Sequence, residues 1–360
     1  MKKIVFVRTN TLGSEPRLIK ELEALKKFRQ FLILWDRENS KKKHPNSSIL
    51  NLKAPFGSSI FIILFPIWTV FVIIELMKSK PDIIHACDFS GVIPSLIYST
   101  FKKTPVVYDI WDSLTGYFPT KNEFIRTLMI GFEKYLIKKS NKTLIPDPER
   151  TEQMEITEPD LLKKITVIYN SETFLNFNKK INLKNKKINL TYVGVLSSRS
   201  RGLEQLVSIA KINPDVTFRI AGYGPDERVI TKLIKSKGLK NIIFYGRINR
   251  EKAEKLNKEA DIIVSLLDPN FENYKYATST KVFDAMKFGK PVITTKNTAT
   301  GRLVEKANWG VAIAYNQKAL ENTLKDIRKG KITFALDSKK IADYSWGKMA
   351  QELRKIYNSL

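Results

Sequence analysis

Along this chain, short continuous apolar runs alternate with segments whose apolar residues recur at helical spacing. Ile4 to Val7 is an unbroken apolar run. A polar loop from Thr9 to Ser14 follows it, and then Leu18, Ile19, Leu22 and Leu25 share one side of a helix. Pro81 to His85 reads as a strand ending in histidine, Val92 to Tyr98 as a helix and Pro105 to Asp109 as a strand, and Val167 to Asn170 closes the series. Strands alternating with helices predict an α/β chain built on a parallel sheet. Ser171 to Lys187 is polar, rich in Asn and Lys and without period, and reads as a linker. The alternation then restarts, with strands at Leu190–Val193, Phe218–Ala221, Ile242–Tyr245, Ile262–Leu266 and Pro291–Thr295. Two successive domains are expected, at residues 1–170 and 188–342, with a cleft between them and residues 171–187 as the linker.

One stretch departs from the alternation. Ile60 to Ile74 is 15 residues without a charge, shorter than the roughly 20 a membrane span needs. Lys78 and Lys80 follow, which suits a helix lying at a membrane surface; a buried helix of the first domain is the other reading.

The densest stretch is Tyr276 to Thr295. Ser279 or Thr280 can cap a helix whose apolar face is Val282, Ala285 and Met286, and Gly289 ends it before the strand from Pro291. Such a helix start faces the end of the preceding strand, where open α/β sheets bind ligands and where bare amides favour a phosphate. Lys281 adds a charge, and Asp284, one turn on, offers a carboxylate to a diol; together they describe a nucleotide site. A capped helix with a solvated Lys281–Asp284 pair is the plainer alternative. Two further loops, Gly194 to Gly202 and Gly222-Tyr223-Gly224-Pro225, allow close backbone approach, with Arg199 and Arg201 beside them. In the first half, Asp88, Asp109 and Asp112 lie at or just past strand ends. The first loop holds a single glycine, Gly13, and so is no dinucleotide fingerprint; Arg17, one helical turn on, is a candidate for holding an anion there.

Composition narrows the partners. There are 62 Lys and Arg against 36 Asp and Glu, a formal charge of +26, which favours anionic partners: nucleotide phosphates, lipid headgroups or nucleic acid. No aromatic-and-basic recognition motif accompanies the charge, so nucleic acid is not the expected partner. The single cysteine, Cys87, suggests a reducing compartment, and with only two histidines, His44 and His85, a multi-histidine metal site is excluded.

In order along the chain, TNTLGSEPRLIKELEAL, PDIIHACD, VVYDIWD, YVGVLSSRSRGLEQL, RIAGYGPDE, IIFYGRI, TSTKVFDAMKFGKPVI and YSWGKMAQELRKIY resemble family 4 glycosyltransferases, retaining enzymes of the GT-B fold. The resemblance implies two Rossmann-like, doubly wound parallel-sheet domains. It implies a sugar nucleotide, UDP- or GDP-linked, bound mainly to the second domain, with no metal or other cofactor. It also implies a glycan or lipid-linked acceptor bound mainly to the first domain, and a terminal helix within 345–360 that packs back on it. The cytoplasm, with contact to an anionic membrane surface, is the expected location.

Carried over by residue, the resemblance assigns the donor to Gly13, Arg17, Arg199, Arg201, Gly222, Gly224, Arg247, Ser279, Thr280, Lys281 and Asp284. Arg201, Lys281, Asp109 and Asp112 are the catalytic candidates, and His85, Asp88 and Trp111 stand on the acceptor side. Three positions depart from the pattern: Val195 stands where an arginine is expected, Tyr276 where the first of two glutamates is expected, and Trp111 where related enzymes often place a histidine. Two other readings remain open. A membrane-surface protein that kept the fold and lost catalysis would fit those departures, and a nucleic-acid-binding protein would fit the charge.

Overall fold

The computed structural model describes residues 1–11, 16–38, 44–55, 58–198 and 200–360. They form two compact units, Met1–Tyr169 with Met349–Leu360, and Asn170–Lys348.

The first unit is a seven-stranded sheet of β1 (Lys3–Arg8), β2 (Arg29–Trp35), β3 (Ser47–Leu50), β4 (Ile83–Cys87), β5 (Val106–Asp109), β6 (Lys142–Ile145) and β7 (Ile165–Val167), in the order β3-β2-β1-β4-β5-β6-β7. Every pairing between these strands is parallel. Ile4, Val5, Phe6 and Val7 are fully buried, which is why this strand reads as an apolar run and not an alternation. The strand order reverses between β1 and β4, so the loops leaving their C-terminal ends open a crevice there. β4 runs to Cys87, so His85 lies inside the strand and not at its end.

The Ile60–Ser79, Asp88–Lys102 and Glu123–Lys139 helices make three successive crossovers in one direction. Right-handed connection places them on one face of the sheet, each packed on the next. The first passes through Pro66 and Thr69 and is five residues longer than its uncharged run, because Glu75 hydrogen-bonds Ser48 at 2.5 Å and Lys78 at 2.6 Å. It is long and apolar enough to cross a membrane, yet Trp68, Val72 and Leu76 are fully buried on the sheet. Trp68 stacks on Trp35 with ring centroids 5.7 Å apart, and its indole N–H donates to the Ser90 carbonyl at 2.8 Å. On the same helix Ile63, Ile67, Val70 and Ile74 remain exposed.

The second unit repeats the plan with β9 (Ile188–Val193), β10 (Val216–Ala221), β11 (Ile242–Phe244), β12 (Ile262–Ser265), β13 (Val292–Thr295) and β14 (Gly310–Ile313), ordered β11-β10-β9-β12-β13-β14 and parallel throughout. The switch point lies between β9 and β12. The segment read as a linker is only partly one. Its Asn178–Ile181 forms β8, antiparallel to β15 (Phe334–Asp337), and backbone pairing there supplies the order that its polar side chains do not advertise. The Trp346–Ser359 helix ends the chain, and Met349 onward belongs to the first unit, where Tyr357 is fully buried.

Candidate functional site

In the second unit, three loops at the C-terminal edge of the sheet converge. The chain leaving β9 meets the chain leaving β10 through Gly194 N–H to Ala221 O at 3.0 Å and Leu196 N–H to Tyr223 O at 2.9 Å. Glycine is required at this meeting, since a Cβ on Gly222 would stand 1.8 Å from the Gly194 carbonyl oxygen. A Cβ on Gly194 would fall 2.7 Å from Lys281 Nζ, so the lysine crosses from the Thr280–Phe288 helix into the space that the missing side chain leaves. Its Nζ also lies 4.9 Å from the centroid of the Tyr192 ring. Burial, reinforced by Arg201 and opposed by Asp284, lowers the Lys281 ammonium to about 7. A cation held in so unfavourable a state gains when an anion enters.

Around it, Arg201 lies 5.5 Å from the centroid of the Tyr274 ring, and the Gly202 N–H donates to the Tyr315 hydroxyl at 3.0 Å. Arg247 is exposed, 4.6 Å from the Tyr223 centroid, beside Gly222 and Gly224. Ser279 occupies the N-cap position of its helix, but its side chain makes no capping hydrogen bond. Its own N–H donates to Thr300 Oγ1 at 2.9 Å. The expected Ser279 or Thr280 cap is thus replaced by an open helix start, the arrangement that suits a phosphate. Asp284 is half-buried one turn on, and Val195 is 44% exposed. A cavity of about 970 Å³ beside Gly224 and Pro225 is lined by Arg228, Lys232 and Lys235, without Lys281 or Arg201; the side-chain cluster, not that cavity, defines the site. Gly13 and Arg199 lie outside the described residues.

In the first unit, the candidates at the strand ends are mostly locked into a buried network. Arg17, expected to hold an anion at the first loop, is buried. It donates to Asp109 at 2.7 and 3.3 Å and to the Ile168 carbonyl at 2.7 Å, and its Nε lies 3.0 Å from Glu21 Oε1. Two carboxylates neutralise it, so it is not available to a nucleotide. Asp109 is fully buried. Burial opposes its ionisation, but the Arg17 charge, with its hydrogen bonds and the neighbouring His85, outweighs that and holds it well below the usual carboxylate range. It therefore positions its neighbours and cannot reach a substrate. Glu21, buried beside Asp109, is pushed up to about 7. His85, read as an acceptor-side group, is fully buried; its Nδ1 pairs with the Tyr357 hydroxyl and its Nε2 lies 3.5 Å from Glu21 and from Asp109.

His85, Cys87 and Asp109 bring their ligand atoms within 4.8 Å of one another. A cation there would have to displace the Arg17 guanidinium from Asp109, so the trio does not fit a metal.

Asp88 begins the Asp88–Lys102 helix, is buried, pairs with Arg8 and accepts from Trp111 N–H at 2.9 Å. Trp111 is half-buried: the Arg8 guanidinium lies 3.9 Å from its ring centroid and its indole N–H donates to Asp109. One ring face and the polar handle are therefore already used, and Trp111 closes the buried network. Of these carboxylates, Asp112 alone keeps a half-exposed side chain, paired with Arg150 at 2.9 Å. Arg8, Glu21, Arg150 and Tyr357 were not marked by the sequence reading. A charged residue ending the run Ile4–Val7, and Glu21 one turn from Arg17 amid leucines, were the available signals.

Residues 174–342 match the family model for glycosyl transferases group 1. No curated protein matches the chain by sequence. Among solved structures, the sucrose-phosphate synthase of Thermosynechococcus elongatus has a TM-score of 0.74 and 15% identity, over 100% of this chain and 99% of that one. Anabaena HepE in complex with UDP and glucose gives 0.70 and 17%, over the whole of both chains. The lipopolysaccharide outer core galactosyltransferase WaaB gives 0.70 and 14%, over 99% of this chain and 100% of that one. The two Rossmann-like units are those of the GT-B glycosyltransferase fold.

Proposed function

We propose that this chain, whose residues 174–342 match the glycosyl transferases group 1 model and whose fold is GT-B, moves a sugar from a nucleoside diphosphate sugar to a glycan or lipid-linked acceptor. The buried Lys281 at an uncapped helix start carries the reading. Cleavage of the sugar–phosphate bond leaves negative charge on the departing diphosphate, and fixed donors in a dry site stabilise that charge most. Lys281, Arg201, the Thr280 amide and the Ser279 hydroxyl, which makes no capping bond, are those donors, and Asp284 accepts from the ribose hydroxyls. The complex of HepE with UDP and glucose favours a uridine donor.

We assign the reaction to the retaining, metal-independent chemistry of family 4. In a same-face attack a diphosphate oxygen takes the acceptor's proton, so no free base is needed where Asp88 and Asp109 are already engaged. Asp112, half-exposed and oriented by Arg150, is the acceptor-side carboxylate. The exposed apolar face of Ile60–Ser79 on a chain of formal charge +26 supports work at the cytoplasmic face of an anionic membrane.

The test is calorimetry with UDP and GDP, followed by donor turnover. Lys281→Ala and Asp284→Asn each remove a charge-assisted hydrogen bond, worth about 1.5–3 kcal/mol or roughly tenfold to a hundredfold in affinity. Unchanged affinity in both variants refutes the site, and nucleotide binding without turnover of any sugar nucleotide leaves a binding protein on a transferase fold.

A further inference from the structure

Beside Asp112 the first unit holds a cavity of about 630 Å³ whose other lining residues have no part in the chemistry above. Its walls are Phe61, Ile62, Tyr117, Phe118, Ile125 and Met129. The aromatic part is braced, with Tyr117 4.9 Å from Phe118 and 6.4 Å from Phe61 between ring centroids. Arg37, itself buried, lines the same cavity, held by its hydrogen bonds to the Ala54 carbonyl at 2.8 Å and the Tyr117 hydroxyl at 3.0 Å. Ser58 also lines it, with a buried Oγ that has no hydrogen-bond partner among the described residues. An apolar chamber of this size with a few placed polar groups is what small-molecule sites look like.

Where the cavity opens decides its ligand. Ile62 is 62% exposed and Ile125 46%, and each lies in the first turn of a helix whose outer face continues apolar. Ile63, Ile67 and Val70 are exposed on one helix, and Leu128 and Phe132 on the other. Lys138 and Lys139 are exposed at the end of the second, and Lys121 is exposed just before it. A polar glycan can stack on aromatic walls but has no use for these exposed aliphatic faces, whereas a hydrocarbon chain arriving from an anionic lipid surface uses both.

We infer that this cavity holds the hydrocarbon chain of an amphiphilic acceptor, with the polar end at Arg37 and Asp112. The word acceptor rests on the glycosyl-transfer reading above; the binding of the chain does not.

The probes are decyl β-glucoside, below its micelle concentration, and methyl β-glucoside, titrated into the full chain. The decyl compound should bind at least a hundredfold more tightly. Ile62→Glu and Ile125→Glu, substitutions at exposed positions, should each weaken it tenfold or more while leaving UDP affinity unchanged. Phe101→Glu, on a side chain 78% exposed and outside the cavity lining, should leave decyl binding intact. Equal affinity for the two glucosides overturns the inference, as does equal loss in Phe101→Glu, which would mean adsorption to any apolar surface. A dimer in light scattering that Ile62→Glu dissociates also overturns it, since a second copy would then cover the mouth. Loss of UDP binding by the wild-type chain would instead remove the transferase reading and leave the chain site standing.

Discussion

Lys281 makes nucleotide binding a proton-linked event. Its ammonium is lowered to about 7 by burial and by Arg201, with only Asp284 opposing. A diphosphate entering beside Nζ favours the charged form and raises that value again. A group near 7 is about half protonated at pH 7 and about one-tenth protonated at pH 8, so affinity should fall roughly fivefold over that unit, about 1 kcal/mol. Each further unit should cost close to tenfold, until the pKa of the bound state is reached. The nucleotide's own phosphate titrates near pH 6, below this window. At pH 8, calorimetry in two buffers of different ionisation enthalpy should show uptake of about 0.9 proton per UDP. Lys281→Met should abolish both the uptake and the pH dependence. In the free protein the unfolded chain holds this proton more tightly than the folded one, so between about 7 and 10.5 the lysine makes stability rise with pH. Affinity that stays flat from pH 7 to 9 without proton uptake, or uptake that survives in Lys281→Met, refutes the argument.

Other substitutions probe the same architecture. Gly194→Ala puts a Cβ where Lys281 Nζ lies and holds an alanine at φ 157°, a conformation L residues rarely adopt; UDP affinity should drop severalfold and Tm should fall with it. Arg17→Met leaves Asp109 and Glu21 buried without their cation and should cost about 3–5 kcal/mol in urea unfolding; a loss under 1 kcal/mol would show that the network carries little stability. Trp111→Ala should lower stability, by less than the roughly 3–5 kcal/mol of a fully buried tryptophan because the ring is half-buried, with Trp111→Phe intermediate because it keeps the ring under Arg8 but loses the donor to Asp109. Unchanged stability in Trp111→Ala with collapsed turnover would restore Trp111 to a direct task on the sugar. Glu133, lifted to about 7 by burial, carries a folded-state pKa above its unfolded value. Its contribution to stability is full below about 4.5 and is lost as pH rises through 7; a denaturation series from pH 5 to 8 that shows this slope in wild type and equally in Glu133→Gln would exclude Glu133 as its source.

The sequence by itself determined what depends on local period and on groups close along the chain. Apolar runs such as Ile4–Val7 and Val292–Thr294 marked strands buried on both faces, and Gly289, left-handed with φ 58°, ended its helix where the pattern placed the end. Lys281 and Asp284 share a helix face by spacing alone. The tertiary structure decided everything that rests on burial and on pairing across the fold. Arg17 and Asp109 are 92 residues apart, so nothing near Arg17 distinguishes an anion-binding arginine from one neutralised by a distant strand end. His85 and Tyr357 are 272 residues apart, and their contact turned a strand histidine into part of a closed network. β8 was invisible because its order comes from backbone bonds to β15, which leave no mark on side-chain polarity. The cavity at Arg37 needed Ile62, Tyr117 and Ile125 to come together from separate elements. The sequence could supply the apolar residues of each helix, but only packing on a common sheet face shows which of their sides remain uncovered.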